Sequence, residues 1–334
     1  MNSAEPNSPS ATNSAAEGRR STSAAPLAGG RRAGDPALRL ESVTETIASA
    51  AHLAAAGVPD RALRAFQHAL ELADEPGQVA EIYRRIGATH RALGHWQEAL
   101  VAVRRSGAVA TSAGLTDAAA EAANAEGNVH LAHGQVAEAR PCYERGIASN
   151  PAPRIRAMLL QNLGTCAAHE GDASAAREHF TEALEGFRAA GDERGVITAL
   201  NNLAVNRMEA GEWAAALPHI TEVIRLAHHL GDLELQLTAA CNQAAVLAHL
   251  GQLEEAQACL SEPMGFFHSA GNQMQRGQCL RVLGDVYAAY ETADHDDSAR
   301  RCYALARALY LEADAPHFVG LIDGAVARLD SRTR

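Results

Sequence analysis

The sequence predicts an all-α fold, a solenoid of about seven antiparallel helix pairs closed by a C-terminal capping helix. Three observations predict it. Glycines recur at Gly57, Gly94, Gly134, Gly171, Gly211 and Gly251, separated by 37, 40, 37, 40 and 40 residues. Five residues after each comes an alanine (Ala62, Ala99, Ala139, Ala176, Ala216, Ala256), and four further on a large apolar residue in most copies (Phe66, Val103, Tyr143, Phe180, Ile220, Leu260). Seven before the turn glycine stands a small residue: Gly87, Gly127, Gly164, Ala204 or Ala244. Small residues let two helices approach, and the bulky residue that follows fills the gap. Helix pairs repeated at such a period stack into a solenoid, because no pair can bury its apolar stripe alone.

The clearest copy is residues 157–194. Leu160, Leu163, Gly164 and Ala167 fall on one helical face. Gly171 closes that helix, since a left-handed residue at a helix C-terminus is cheapest as glycine. Ala176, Phe180, Ala183, Leu184 and Phe187 form the facing stripe, and Gly191-Asp192 ends one helix and starts the next.

These residues resemble the tetratricopeptide repeat. Leu163-Gly164, Gly171, Ala176, Phe180 and Ala183 match its pattern position by position, and Pro151 supplies its repeat-end proline once. The period exceeds the usual ~34 residues. The chain is therefore similar to the longer-period subgroup of kinesin light chains and the MalT- and AfsR-type bacterial activators. The string 189–204 has the look of that subgroup. The resemblance covers roughly 43–312 and implies a right-handed superhelix that binds a protein or peptide. It also implies that the first helices of each pair face the concave side.

Composition narrows the function. Hydrophobic residues make up 47% but aromatics only 4%, so the core is built of Ala and Leu and offers little stacking surface for bases. The net charge is −11; the first 40 residues contribute +2 and the remainder −13. An acidic body repels phosphate backbones, so no direct nucleic-acid partner is expected. All 29 basic residues are Arg. Without lysine, Schiff-base chemistry and a Walker A loop are both excluded. No G-x-S-x-G, H-E-x-x-H or C-x-x-C occurs. His169-Glu170 and His228-His229 are the nearest catalytic candidates, and both sit late in helices, where histidine also complements the dipole. A non-enzyme without cofactor or metal is expected. The six cysteines are scattered, no apolar run approaches the ~20 residues of a membrane span, and a cytoplasmic bacterial protein with no membrane partner is expected.

Three segments are expected: a disordered tail over 1–42, the solenoid over 43–314, and a capping helix and end over 315–334. The tail is rich in Ser, Ala, Pro and Gly; Arg19-Arg20 and Arg31-Arg32 could serve as a docking arm. The first pair (43–76) carries Ala50, Ala51, Ala54 and Ala55 where bulkier residues are usual. Trp96 and Trp213 follow their turns at matching positions and predict plugs between helices. In the third pair, His130 and His133 are spaced as metal ligands could be, but no third ligand is evident nearby, so they read as core-edge histidines. Pro141 and Pro218 come early in second helices and predict slight kinks. Pro263 lies deeper and predicts a broken or bent helix, with Phe266 and Phe267 beside it. In the seventh pair ETADHDD replaces the glycine turn, and Ala299, Tyr303 and Ala306 resume three residues late. Its acids predict caps ahead of the second helix rather than metal ligands. Phe318, Leu321, Ile322, Val326 and Leu329 predict the capping helix over 315–330.

The inner face carries the functional candidates. Asn124, Asn128, Gln161, Asn162, Asn201, Asn202 and Asn242 form a run of amides along the first helices. An amide donates and accepts at once, which matches an extended peptide backbone; equally, such amides could bond the adjacent helix. Arg84 and Arg281 stand toward the ends, with Thr165, Thr198, His249 and Asp285 nearby. A terminal carboxylate would have to be held by Arg84, Arg85 or Arg281. The expected function is a scaffold or adaptor that binds a peptide segment or partner protein in the groove. The alternative is a regulatory sensor module that works through a partner transcription factor or kinase.

Overall fold

The computed structural model describes residues 36–332, and among them are fifteen α-helices and no strand. α1 (Pro36–Ala55) pairs with α2 (Pro59–Leu72), α3 (Pro76–Ala92) with α4 (Trp96–Ser112), and α5 (Thr116–Ala132) with α6 (Val136–Ala148). Then α7 (Pro153–His169) pairs with α8 (Ala173–Ala189), α9 (Glu193–Glu209) with α10 (Trp213–His229), α11 (Leu233–His249) with α12 (Leu253–Ser269), and α13 (Gln273–Ala289) with α14 (Ala293–Glu312). α15 (Pro316–Arg332) packs on α14 and α13 as the cap. The tail expected over 1–42 lies outside the described residues as far as 35, whereas 36–42 belong to α1. No helix among the described residues is long and apolar enough to cross a membrane.

The turns are built as the periodicity requires. Gly171 and Gly191 adopt φ +82° and +66°, and the aspartate after each caps the next helix: Asp172 accepts from the Ala175 N–H and Asp192 from the Gly195 N–H, both at 2.9 Å. Forty residues after Gly251, Glu291 takes the glycine's place at φ +55°. A non-glycine residue there carries roughly 1–2 kcal/mol of steric strain. Glu291→Gly is therefore expected to stabilise the protein modestly, by about 1 kcal/mol at most once the entropy of an added glycine is deducted. Thermal unfolding checks this.

α14 then starts on schedule and is 20 residues long, against 17 for α8, α10 and α12. The three-residue delay is thus an added turn inside the helix. It corrects the placement of the acids: Asp294 and Asp296 lie in the first turn of α14 rather than ahead of it, and the N-cap Thr292 makes no side-chain cap bond.

Small residues meet bulky ones as the repeat implies. A Cβ on Gly164 would lie 2.6 Å from the Phe180 ring, and one on Gly284 would lie 2.6 Å from Tyr303. Tyr143 and Val103 cover Gly127 and Gly87 in the same way. Trp96 and Trp213 are half-buried plugs between successive pairs, stacked on His133 (5.1 Å) and His249 (3.7 Å).

The break expected at Pro263 does not occur: α12 runs as one helix from Leu253 to Ser269. Pro263 is buried with Ala256, Leu260 and Phe267 at spacings of four, three and four, so its ring continues the apolar stripe. Packing along that stripe holds the helix where the lost N–H would weaken it. Phe267 is fully buried, with Phe266 half-buried and edge-on to it at 5.3 Å.

The stack curves. Odd-numbered helices touch the next odd-numbered helix along most of the chain: α1–α3, α3–α5, α5–α7, α7–α9, α11–α13 and α13–α15. No comparable contact joins successive even-numbered helices among the described residues. The odd helices therefore crowd along the inner wall while the even ones fan outward. The inner contact is sparsest between α9 and α11.

His219 on α10 is partly buried, and desolvation, then the charges of Arg207 and Arg188, hold its pKa below the usual 6.5. The folded protein thus binds fewer protons than the unfolded chain just below that value, and stability declines as pH falls through it. The unfolding temperature is expected to be lower at about pH 5.5 than at pH 7, and less so in His219→Gln.

Candidate partner-binding site

The gap between α9 and α11 opens into a hollow of about 620 Å³ on the inner wall. α9 lines it with Thr198, Asn201 and Val205, and α11 with Thr238 and Asn242. Gln278 and Arg281 of α13 and Phe318 of α15 close the far side. A smaller hollow of about 250 Å³ lies on the other flank of α9, lined by Thr165, His169 and Asn202 among others. A third, of about 670 Å³, occupies the C-terminal end of the groove; Arg281, Asp285, Arg328 and Arg332 face the Trp213–His249 stack across it.

The predicted amides divide into two groups. Asn162 Nδ2 donates to Asn124 Oδ1 (2.7 Å) and Asn128 Oδ1 (3.2 Å), and the Tyr143 hydroxyl donates to Asn128 Oδ1 at 2.8 Å. Burial raises the Tyr143 pKa well above its ordinary value, so that hydroxyl remains a donor. Asn124, Asn128 and Asn162 thus form a network tying α5, α6 and α7 together. Asn242 accepts from Gln278 Nε2 at 2.8 Å. Gln161 Oε1 is buried and unpartnered, while Thr165 donates to the Gln161 carbonyl at 3.2 Å. Asn201 and Asn202 differ: neither side chain has a hydrogen-bond partner among the described residues, and they line the two hollows on either flank of α9.

The charged candidates are engaged already. Arg84 pairs with Glu81 and, at 3.5 Å, with Glu121; Arg85 bonds Glu81. Arg281 donates to Asp285 at 2.8 Å, and Asp285 also accepts from the buried Tyr303 hydroxyl at 2.7 Å. His249 is held by its stack on Trp213 and a 2.9 Å contact from Nδ1 to the Ala245 carbonyl. Arg328 has no ion-pair partner among the described residues, although its charge reaches Tyr303.

Thr238 and Gln278 were missed in the sequence, yet a signal was present. With Thr198 they stand thirteen residues before the turn residues Gly251, Glu291 and Gly211. Three polar side chains at one register of the first helix mark an inward, solvated row.

A helical-repeat solenoid with a polar inner wall defines the class: a fold that supports a protein-interaction scaffold in general. Residues 154–229, which are α7–α10, match the family model for the tetratricopeptide repeat. These two pairs are tetratricopeptide repeats, and the pairs around them continue the same fold. Comparison with curated proteins finds no match. Among solved structures, the chain is similar to a signal transduction ATPase with numerous domains (STAND) from Pyrococcus horikoshii that carries a tetratricopeptide repeat sensor: TM-score 0.68, 14% identity, 86% of this chain and 46% of that one. This chain thus spans less than half that protein's length. It is also similar to aspartyl phosphate phosphatase F from Bacillus subtilis (TM-score 0.59, 12% identity, 81% and 71% covered). BtubC (BKLC) from P. vanneervenii is a third (TM-score 0.55, 19% identity, 69% and 92% covered). At these identities the likeness concerns the fold alone.

Proposed function

We propose that the protein is a non-catalytic adaptor that holds an extended peptide segment of a partner protein against α9 and α11 on its inner wall. The observation that carries this is the pair Asn201 and Asn202. Two adjacent amides, unpartnered among the described residues, line hollows large enough for side chains, where the inner helices touch least. An amide there can donate to a peptide C=O and accept from its N–H. Thr198, Thr238 and the Asn242–Gln278 pair extend the polar row, and Arg281 with Phe318 ends it.

The test is selection of binders from a random peptide library on the full chain, repeated with Asn201→Arg and Thr238→Arg, each checked for helicity. Binders retained by wild type and lost by both folded variants support the groove. Binders retained equally by all three place recognition elsewhere and overturn the proposal. A sensor module acting through a transcription factor or kinase is the second reading, supported by likeness in fold to the sensor-bearing STAND protein. It gains ground if the selected peptides map to such a regulator and binding changes that regulator's activity.

A further inference from the structure

We propose that Glu126, His130 and Cys142 form a zinc(II) site on the boundary of α5 and α6, closed in the metal-free protein by the guanidinium of Arg145. Glu126 and His130 are four residues apart on α5 and so share a face. Cys142 of α6 meets them there. Their carboxylate oxygen, imidazole nitrogen and sulfur all lie within 4.8 Å of one another. His130 and Cys142 are buried, and the Glu126 side chain is only 13% exposed.

The histidine is already oriented. Its Nδ1 lies 2.9 Å from Gln135 Oε1. An amide oxygen only accepts, so Nδ1 carries the proton and the Nε2 lone pair is left for a metal. A second hydrogen bond of this kind is what fixes the ring of metal-ligating histidines. His133, the neighbour that the sequence suggests as a second ligand, is turned away onto Trp96. The missing ligands come instead from one turn earlier and from the next helix.

The charges point the same way. Arg104 Nε bonds one oxygen of Glu126 at 2.7 Å, and Arg145 bonds the other. The Cys142 thiol itself donates to the Glu138 carbonyl at 3.4 Å, with the Arg145 charge close enough to act on it. Its side chain is 58% exposed, so it can swing into solvent at little cost. A cation therefore already stands on the carboxylate beside the thiol, on a side chain free to leave. A mixed O, N, S donor set suits zinc rather than magnesium or calcium. Donors in a tetrahedral zinc site lie roughly 3.5 Å apart, so closure asks for side-chain shifts of about 1 Å. On binding, the Cys142 thiol releases its proton to solvent, zinc takes the thiolate, the Glu126 oxygen freed by Arg145 and His130 Nε2, and water completes the fourth position. Arg104 remains on the other carboxylate oxygen.

The experiment is titration of the reduced full-length chain with cobalt(II), followed by displacement with zinc(II). A near-ultraviolet sulfur-to-cobalt charge-transfer band with tetrahedral visible bands is expected. Cys142→Ser should abolish the charge-transfer band, and His130→Gln should weaken binding by about tenfold or more. Arg145→Ala should tighten it by about tenfold, because it removes the competing cation. A purely structural Glu126–arginine contact predicts no gain from that last change. Helicity is compared throughout; if Cys142→Ser fails to fold, Cys142→Ala and the Arg145→Ala arm decide. Absence of the band in wild type, its persistence without Cys142, or unchanged affinity in Arg145→Ala would each overturn the site.

Discussion

Replacing Phe180 with alanine is expected to destabilise the centre of the solenoid by about 3–5 kcal/mol. The ring is buried in the largest apolar cluster and lies across Gly164, where no Cβ fits between the two helices. Truncation removes that contact and leaves a void that α7 and α8 cannot fill by collapsing. Each pair touches mainly its neighbours, so the loss is local. Denaturant unfolding followed by helicity should change from one transition to two, with hydrogen exchange accelerated first in α7 and α8. A single transition at an unchanged midpoint would show that Phe180 does not seal the pair. Restoring volume from the other side, with Gly164→Ala in the Phe180→Ala background, should recover part of the loss.

Asn162→Ala and Asn201→Ala are expected to separate the two groups of amides. Asn162 donates to two acceptors on α5, and its removal strips partners from a part-buried network, at about 2–3 kcal/mol. Asn201 has no partner among the described residues, so its loss should leave stability within about 0.5 kcal/mol. Library peptides should behave oppositely: bound by folded Asn162→Ala and lost by Asn201→Ala. Equal destabilisation by both would mean that Asn201 is structural, and equal loss of binding would mean that the network itself forms the surface.

These contrasts show what the sequence can carry. The fold was legible because the turn glycines, the small residue at Gly164 and the plug at Phe180 are local, and each implies its helix geometry directly. Pro263 misled because its backbone chemistry was weighed without its place in the Ala256–Leu260–Phe267 stripe. Glu291 was hidden because only its distance from Gly251, not its residue type, marks the turn. The amides could be placed on the inner face, but their partners lie 34–38 residues away. Which amide is saturated is therefore a property of stacked pairs rather than of any one pair. The same holds for Cys142, a small apolar residue in sequence that comes to face Glu126 and His130 only once α6 folds back on α5.

The parting of α9 from α11 has a mechanical consequence. Elsewhere each inner helix touches the next, while among the described residues the outer helices make no comparable contact with one another. That joint has the fewest inner contacts to resist bending, so flexing is expected to concentrate there. The width of the hollow beside Asn201 is coupled to the overall arc of the molecule. An occupant that wedges the joint straightens the arc; one that draws Thr198 toward Thr238 tightens it. A change at one joint of the inner wall is thus read out as a displacement of both ends.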